Sequence, residues 1–433
     1  MGYIAAILFI FIGVLFQKKD KTWTAPEVLF CYVWGIVSFF AALRLFDLSE
    51  VSFKAWFIIV VGTISFVLGA RFKSSIGKQS FDHMLYSGKT YLPKKMFWIL
   101  FWIMFILVAK ELMETIGLMK MGYSLGLIRN ASYGDAEIKG YIRNTGYISV
   151  WLDVLRSAIQ VIIIACGIEY FIIDIKKNKI YLLAVSFLVI ADAFTTGGRW
   201  GIAYFIIELF VCYKIYWNRG IYGDKTIISP KAKRRIMLVL ISLVTLILVV
   251  SIVRGVSIED SVSYFYAYLC GCVPLLDIKL GEISSSGIWS IIFAGQYGLL
   301  TLLVPIFFKG LLGTDMPNIY EVTLSDVMTG QSYYDIGGGR RYNAFVTTFY
   351  YLYADMRWIG VVIGMFIFGQ LMGILYRSTF NNQNKCTVVP YLIFTQMIIK
   401  SIQVYPFSSQ VYVAVFLLMI CIHISRNVKI RNF

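Results

Sequence analysis

The chain has 433 residues, of which 59% are apolar and only 15% are charged, and its mean hydropathy is +0.73. A soluble domain is about half apolar and about a quarter charged, so this composition excludes an ordinary soluble protein. A membrane β-barrel would show alternating segments of about 10 residues. This chain instead carries apolar stretches of about 20 residues, each long enough to cross a bilayer as a helix.

These stretches predict an all-α, polytopic membrane helical bundle with 11–13 transmembrane helices, treated as a single membrane domain over residues 1–433. The region 256–356 has mixed polarity and is predicted to be a long extracytoplasmic loop region. Its two apolar segments, 262–280 and 287–308, form either a pair of spans or interfacial or re-entrant helices. The predicted spans are 2–16, 25–46, 53–70, 96–117, 147–173, 180–197, 201–217, 236–255, 357–376, 388–404 and 407–424.

The basic residues predict the orientation. Six segments, which alternate along the chain with the predicted outer segments, carry 23 basic and 4 acidic residues, and this marks them as cytoplasmic loops. With them inside, the N-terminus lies outside and the C-terminus inside. This belt accounts for the net charge of +16, so no nucleic-acid partner is expected. The six segments are 17–22, 71–95, 174–179, 218–235, 377–385 and 426–431.

Three arginines predicted near the outer face are candidates for anion binding. Arg199 lies in the turn Thr195–Gly201, where glycines allow close backbone approach and an arginine can grip phosphate with two hydrogen bonds. Arg129 begins the predicted outer loop 119–146, and Arg254 ends a long apolar helix. The ordinary alternatives are an interfacial arginine, a solvated loop charge and a snorkelling side chain.

A second candidate segment is Asp335–Asn343, a glycine turn followed by Arg340, Arg341, Tyr342 and Asn343. Adjacent arginines on an outward loop could clamp a pyrophosphate. Tyrosines in this region either form an interfacial belt or stack on sugars.

Asp355 stands just before an apolar helix that carries Gly360, Gly364, Gly369 and Gly373. It could cap a helix, pair with Arg357 or act as a general base. Weaker candidates for the base are Glu259, Asp260, Asp277 and Asp335.

Two further patterns bear on the chemistry. Asp153 and Arg156 are three residues apart on one predicted helix, which favours a structural pair. Cys270 and Cys272 lack zinc-site spacing, and the two histidines, His83 and His423, are far apart. No metal or other cofactor is therefore expected.

Three segments together resemble the Wzy-type O-antigen and capsular polysaccharide polymerases, also called oligosaccharide repeat-unit polymerases. Ser124–Arg129 resembles the family's Ser-Leu-x-x-Ile-Arg stretch, and Thr195–Gly201 resembles its outward-facing Gly-Arg turn. Tyr342–Gly373 resembles its Tyr-Asn segment that leads to Asp-x-Gly-x-x-Gly. Val346 stands where a threonine is common, and Met356-Arg357 stands where the family often has an aromatic residue and glycine.

The resemblance implies a GT-C-like glycosyltransferase of the bacterial plasma (inner) membrane, with its active site facing the periplasm. Its substrates would be undecaprenyl-pyrophosphate-linked oligosaccharides, joined without a metal into O-antigen of lipopolysaccharide or into capsule, while arginines stabilise the leaving pyrophosphate. A chain-length regulator and a flippase are the implied partner proteins, besides the lipid bilayer. The implied catalytic residues are Asp355, Arg199 and Arg340, and the implied substrate-binding residues are Arg129, Arg199, Arg254, Arg340, Arg341, Tyr342 and Asn343.

Two other functions stay open. A flippase for the same lipid-linked units also has many spans, but its family members usually have short loops and paired halves, and this chain shows no internal repeat. An O-antigen ligase often carries a histidine in its long outer loop, and the region 256–356 has none.

Overall fold

The computed structural model describes residues 1–72, 90–133, 138, 147–175, 177–196, 200–218, 258–286, 294–305, 334–342, 346–380 and 385–431. In these ranges the chain is helical except for short turns and two paired strands of two residues each. The helices are α1 (Gly2–Asp20), α2 (Pro26–Leu43), α3 (Phe53–Arg71), α4 (Lys94–Lys120), α5 (Leu125–Tyr133), α6 (Tyr147–Ile173), α7 (Lys179–Thr196), α8 (Trp200–Asn218), α9 (Ile258–Cys270), α10 (Cys272–Ser286), α11 (Tyr297–Pro305), α12 (Thr348–Phe380), α13 (Val388–Lys400) and α14 (Gln410–Arg431). The strands are β1 (Tyr334–Asp335) and β2 (Arg341–Tyr342).

Within the described ranges, six helices are long and apolar enough to cross a membrane, and α13 and Gln410–His423 are shorter apolar helices. The chain is therefore an α-helical, multi-pass membrane protein, as the hydropathy predicted. The six are Gly2–Asp20, Pro26–Leu43, Phe53–Arg71, Lys94–Lys120, Trp151–Ile173 and Thr348–Phe380. The predicted span 236–255 lies outside the described residues.

Contacts within the chain group the residues into two compact units. Unit one comprises Met1–Met84, Ser263–Ser378 and Met397–Phe433, and unit two comprises Leu85–Val262 and Thr379–Gln396. The single membrane domain predicted for residues 1–433 stays a prediction.

In unit one, α3 and α12 pack against each other in parallel through glycines. Gly69 lies directly against the backbone of Phe366, and Gly373 lies against the carbonyl of Ala70. Any side chain at these positions would strike main-chain atoms, so glycine allows the close approach that small residues give to membrane helix interfaces. This packing explains Gly369 and Gly373, two of the four glycines that follow Asp355.

One end of this helix pair carries an ionic network. The Arg71 guanidinium pairs with Asp20 and, at 3.1 Å, with the buried Glu27. Arg377 donates to the carbonyl oxygens of Ala70 at 2.9 Å and Phe72 at 3.2 Å. These residues adjoin the predicted cytoplasmic loops, so the other end of α3 belongs to the predicted outer side.

The helix α12 is interrupted at two residues. Met356 has φ −135° and ψ 33°, and Arg357 has φ 56° and ψ −142°. Such angles cannot continue a helix. Residues 348–355 and 358–380 are therefore two arms joined by a sharp break.

The two arms fold back on each other. The Thr348 hydroxyl contacts the Met365 sulfur at 3.9 Å, although 17 residues of continuous helix would separate their backbones by about 25 Å. The carbonyl of Leu352 lies against Gly360, and its side chain lies over Gly364. The predicted span 357–376 corresponds to the second arm, and the segment before it is a helix that folds back on that arm.

The start of the first arm meets the turn between α13 and α14. The amide of Thr348 donates to the Ser401 carbonyl at 2.8 Å, and the amide of Val346 donates to the Gln403 carbonyl at 3.2 Å. The Ser401 hydroxyl accepts a hydrogen bond from the Trp34 indole at 3.1 Å. Because Trp34 lies at the middle of α2, this irregular backbone begins at mid-depth of unit one. Irregular backbone at such depth is stable only where protein or a water-filled cavity surrounds it.

In unit two, charged side chains connect α4, α6 and α7. Arg156 binds Glu111 through both guanidinium nitrogens, one of them at 2.6 Å. Asp192 accepts a hydrogen bond from Gln160 and lies near Arg156. The expected Asp153–Arg156 pair is not the one formed, because the guanidinium reaches across to α4 while Asp153 is exposed.

Candidate functional site

The structure describes only some of the predicted site residues. Arg199, Arg254 and Asn343 lie outside the described residues. Arg129 lies in α5 and Arg341 in β2, but their side chains also fall outside the described part. The contacts of Arg340, Tyr342 and Asp355 are described, and all three belong to unit one.

Arg340 anchors the β1–β2 hairpin. Its Nε donates to the Ser263 hydroxyl at 2.7 Å, its Nη1 donates to the Phe46 carbonyl, and its guanidinium lies 5.4 Å from the Phe46 ring. The turn before it consists of Gly337–Gly339, which all have positive φ, a conformation that glycine adopts without strain. These contacts hold the hairpin against α9 and against the segment around Phe46 that follows α2.

Tyr342 is a core residue, only 7% exposed, whose ring centroid lies 6.5 Å from that of Tyr268. Burial raises the pKa of its phenol well above the usual value, so the hydroxyl stays protonated. The position favours packing of the hairpin over a sugar-stacking surface.

Asp355 is 6% exposed and ends the first arm of α12. Its two carboxylate oxygens accept hydrogen bonds from the backbone amides of Ala294 at 2.9 Å and Gly295 at 2.8 Å. These amides belong to the turn that precedes α11, so the carboxylate holds that turn from a distant part of the sequence. This contact is none of the three roles predicted from the sequence, and the general-base role of Asp355 stays a prediction.

The other candidate acids are also engaged or not described. Asp277 accepts hydrogen bonds from the amide and the hydroxyl of Ser52, the residue that caps α3. Asp335 accepts from the Gly337 amide at 2.8 Å. The side chains of Glu259 and Asp260 lie outside the described part.

The sequence analysis missed a cluster of cations around α10. Lys54 donates to the Ser284 hydroxyl and lies 3.4 Å from the Leu280 carbonyl. Arg357, at the break in α12, donates to the Ile283 carbonyl at 3.1 Å. Both cations lie close to the Tyr353 ring, the Lys54 ammonium at 5.2 Å and the Arg357 guanidinium at 5.5 Å from its centroid.

One turn earlier on α10, Lys279 forms a compact group with an acid and a phenol. Its ammonium lies 2.9 Å from Glu282 Oε2, 2.5 Å from the Tyr334 hydroxyl and 4.1 Å from the Tyr334 ring centroid. The Tyr334 hydroxyl lies 3.2 Å from the same carboxylate oxygen. Lys279 is 4% exposed, whereas 46% of the Glu282 side chain is exposed. Glu282 thus combines a fixed position with access from outside.

This set of side chains, Lys54, Lys279, Glu282, Tyr353 and Arg357, is called the α10 cluster below. It consists of two groups along α10: Lys54, Tyr353 and Arg357 beside Ile283 and Ser284, and Lys279 with Glu282 beside Tyr334. Cations held in this way can bind an anion. The three cations fall at edges of predicted apolar segments, namely 53–70, 262–280 and 357–376. A charge at a span edge is a recognisable signal, but snorkelling explains most such charges equally well.

Comparison of the chain with protein-family models, with curated proteins and with solved structures finds no match. The apolar helices and the contacts around α10 define this chain as an α-helical, multi-pass membrane protein with a cationic, tyrosine-bearing cluster at one end of unit one.

Proposed function

We propose that this protein is a polysaccharide polymerase that joins undecaprenyl-pyrophosphate-linked oligosaccharide repeat units on the outer face of a bacterial plasma membrane. The acceptor hydroxyl attacks the anomeric carbon of the growing glycan, the bond from that carbon to the pyrophosphate oxygen breaks, and the lipid pyrophosphate leaves. The acceptor proton passes to a carboxylate. A GT-C-like architecture goes with this proposal.

The α10 cluster is the observation that carries the proposal. It lies at the end of α3 and α12 opposite to Arg71 and Arg377, which adjoin the predicted cytoplasmic loops. A departing pyrophosphate needs fixed positive charge, and cations that the fold already holds in place supply it. Arg129, Arg199 and Arg254, all predicted on the same side, would add to this charge.

Glu282 is the preferred general base in this proposal. Its carboxylate is accessible and is held by Lys279 and Tyr334, whereas both oxygens of Asp355 accept backbone hydrogen bonds. A pyrophosphate leaving group requires little proton abstraction before the bond breaks, so the base need not be strong. Asp355 then acts as a positioning residue that holds the turn before α11 beside the break in α12.

One observation supports a second candidate, a transporter for the same lipid-linked units. The break at Met356-Arg357 and the irregular turn that begins at Ser401 beside Trp34 are interruptions of membrane helices. Discontinuous helices of this kind form the substrate sites of many transporters.

A gel of surface glycans from cells that lack the gene, run beside the complemented strain, separates these functions. Loss of the polymer ladder with single repeat units still at the surface is the result expected for a polymerase. Accumulation of lipid-linked units inside the cell would instead establish a flippase, and long polymer left on its lipid carrier would establish a ligase. An unchanged ladder would refute all three.

A further inference from the structure

The β1–β2 hairpin lies between Arg340 and the Lys279–Glu282 pair of α10. Tyr334 begins β1, and Arg340 directly precedes β2. Two strands of two residues each are marginally stable by themselves. The position of Tyr334 therefore depends on what the rest of the hairpin is fastened to.

The turn of the hairpin is bonded to itself and to the segment that follows α2. The amide of Arg340 donates to the Gly337 carbonyl at 3.2 Å, and the amide of Ile336 donates to the Arg340 carbonyl at 3.1 Å. The amide of Ser49 donates to the Ile336 carbonyl at 2.8 Å. The turn and its two strands thus form one piece, which the Arg340 side chain fastens to α9 and to the segment after α2.

At the other end of this piece, the Tyr334 hydroxyl is placed between an ammonium and a carboxylate. It accepts a hydrogen bond from Lys279 Nζ at 2.5 Å and donates its own hydrogen to Glu282 Oε2 at 3.2 Å. The centroid of the Tyr334 ring lies 4.1 Å from the same ammonium, and Lys279 is buried. Tyr334 therefore covers Lys279 and gives its only O–H donor to the carboxylate of Glu282.

We propose that Arg340 is a positioning residue for the polymerisation, because through the hairpin it places Tyr334 against Lys279 and Glu282. The resemblance implies a different role for Arg340, direct binding of the pyrophosphate. The described contacts of its guanidinium are a hydroxyl, a backbone carbonyl and a ring of this chain, as in a structural anchor. The inference deepens the proposed function and rests on it for the reaction and for Glu282 as the base.

The kinetic test uses the purified full-length protein and lipid-linked repeat units extracted from cells that lack the gene. Tyr334→Phe removes one hydrogen bond to a carboxylate and is expected to lower kcat about 10-fold, with KM unchanged. Arg340→Ala should lower kcat by a similar factor. The double variant should be no slower than the slower single variant, because both changes reach Glu282 through the same hydroxyl.

A direct pyrophosphate ligand would act independently of Tyr334. The double variant would then show the product of the two single effects, about 100-fold, and this result would overturn the proposal. A raised KM for the lipid-linked unit in Arg340→Ala would overturn it as well.

Two further variants separate the anchor from the charge. Arg340→Gln has an amide nitrogen where Nε stands, so it can still donate to Ser263, but it carries no charge. It should therefore be faster than Arg340→Ala, and an equal loss in both would contradict the proposal. Arg44→Ala is the matched control, because the exposed Arg44 side chain contacts Glu50 at 3.4 Å and the Leu48 carbonyl in the described part of the chain. It should leave kcat unchanged, and a loss equal to that of Arg340→Ala would refute a specific role for the hairpin.

A second readout does not depend on any activity. Sulfo-N-hydroxysuccinimide acetate, a water-soluble amine reagent, should acetylate Lys279 at least about 10-fold faster in Arg340→Ala than in the wild type, because the displaced Tyr334 ring no longer covers the ammonium. Mass spectrometry measures the rate, and Cys31 and Cys166, buried in α2 and α6, should stay unreactive towards a thiol reagent, which excludes general unfolding. Unchanged acetylation of Lys279 would overturn the connection through the hairpin. If deleting the gene leaves the glycan ladder intact, the proposed function fails, and the acetylation rate alone decides whether Arg340 holds the hairpin on α10.

Discussion

The contact between Asp355 and Gly295 predicts a measurable coupling between two residues 60 positions apart. In Asp355→Asn, one oxygen becomes an amide group that points its own hydrogens at a backbone N–H. One charge-assisted bond is lost, and one buried donor faces another donor. Hydrogen bonds to charged groups contribute about 1.5–3 kcal/mol, and an unsatisfied buried donor costs a similar amount, so the expected loss is about 2–4 kcal/mol.

Gly295 provides the partner perturbation. A Cβ added there would lie 2.6 Å from Asp355 Oδ2, whereas its next neighbours, Leu352 Cδ2 at 3.4 Å and Tyr405 Cε1 at 3.8 Å, are at ordinary contact distance. Gly295→Ala must therefore displace the carboxylate and is expected to cost about 2 kcal/mol in the wild type. In an Asp355→Ala background the same change meets no carboxylate, so the two effects should be coupled by about 1–2 kcal/mol.

The assay uses the cysteines of the chain. Six of the seven are buried and Cys421 is exposed, so a thiol-reactive dye in a Cys421→Ser background reports unfolding of the purified protein in detergent. Asp355→Asn should melt well below the background, and Gly295→Ala should melt lower only when Asp355 is present. Equal effects of Gly295→Ala in both backgrounds would refute the contribution of this contact, as would an unchanged melting temperature in Asp355→Asn.

Three further outcomes are expected. Glu282→Gln should lower polymer formation about 10²–10⁴-fold, the usual loss of a general base, without lowering the amount of protein in the membrane; a full ladder would remove Glu282 from the reaction. Arg199→Ala should abolish the polymer with expression intact, and Arg199→Lys should also fail if forked phosphate binding matters; full activity of the lysine variant would point to a simple charge effect. Glu111→Gln should destabilise the protein by about 2 kcal/mol, because it leaves a largely buried Arg156 without its carboxylate. Replacing Arg156 by Met as well should restore part of the melting temperature, and a double variant as unstable as the sum of the singles would contradict this pairing.

The helical architecture follows from local sequence, because a span needs only a sufficient run of apolar residues. The predicted spans 53–70 and 147–173 match α3 and α6 to within one residue. The break in α12 could not be predicted from local sequence. The apolar run after Arg357 indicates an ordinary span that starts there and gives no sign of a helix before it. Only the contacts of Thr348 with Met365 and of Leu352 with Gly364 reveal that the preceding segment folds back.

The candidate site was accessible to sequence reasoning only in part. An outer-face cluster of arginines was predicted from charge at the membrane edge, and Arg340 and Asp355 do have specific partners in unit one. Their partners were not predictable, because Ser263 and Phe46 for Arg340, and Ala294 and Gly295 for Asp355, are distant in sequence. The choice of Glu111 over Asp153 by Arg156 has the same origin, since helix packing brings α4 within reach.

The sequence by itself therefore determined the class of protein, the positions of most spans and the expected orientation, because hydropathy and loop charge act locally along the chain. The tertiary structure alone decided which polar groups meet. Lys54, Ser284 and Arg357 come from three separate segments, and their contacts depend on how α3, α10 and the hairpin of α12 pack. The tertiary structure also brings the turn at Ala294 and Gly295 to Asp355, a contact that no pattern around that residue specifies.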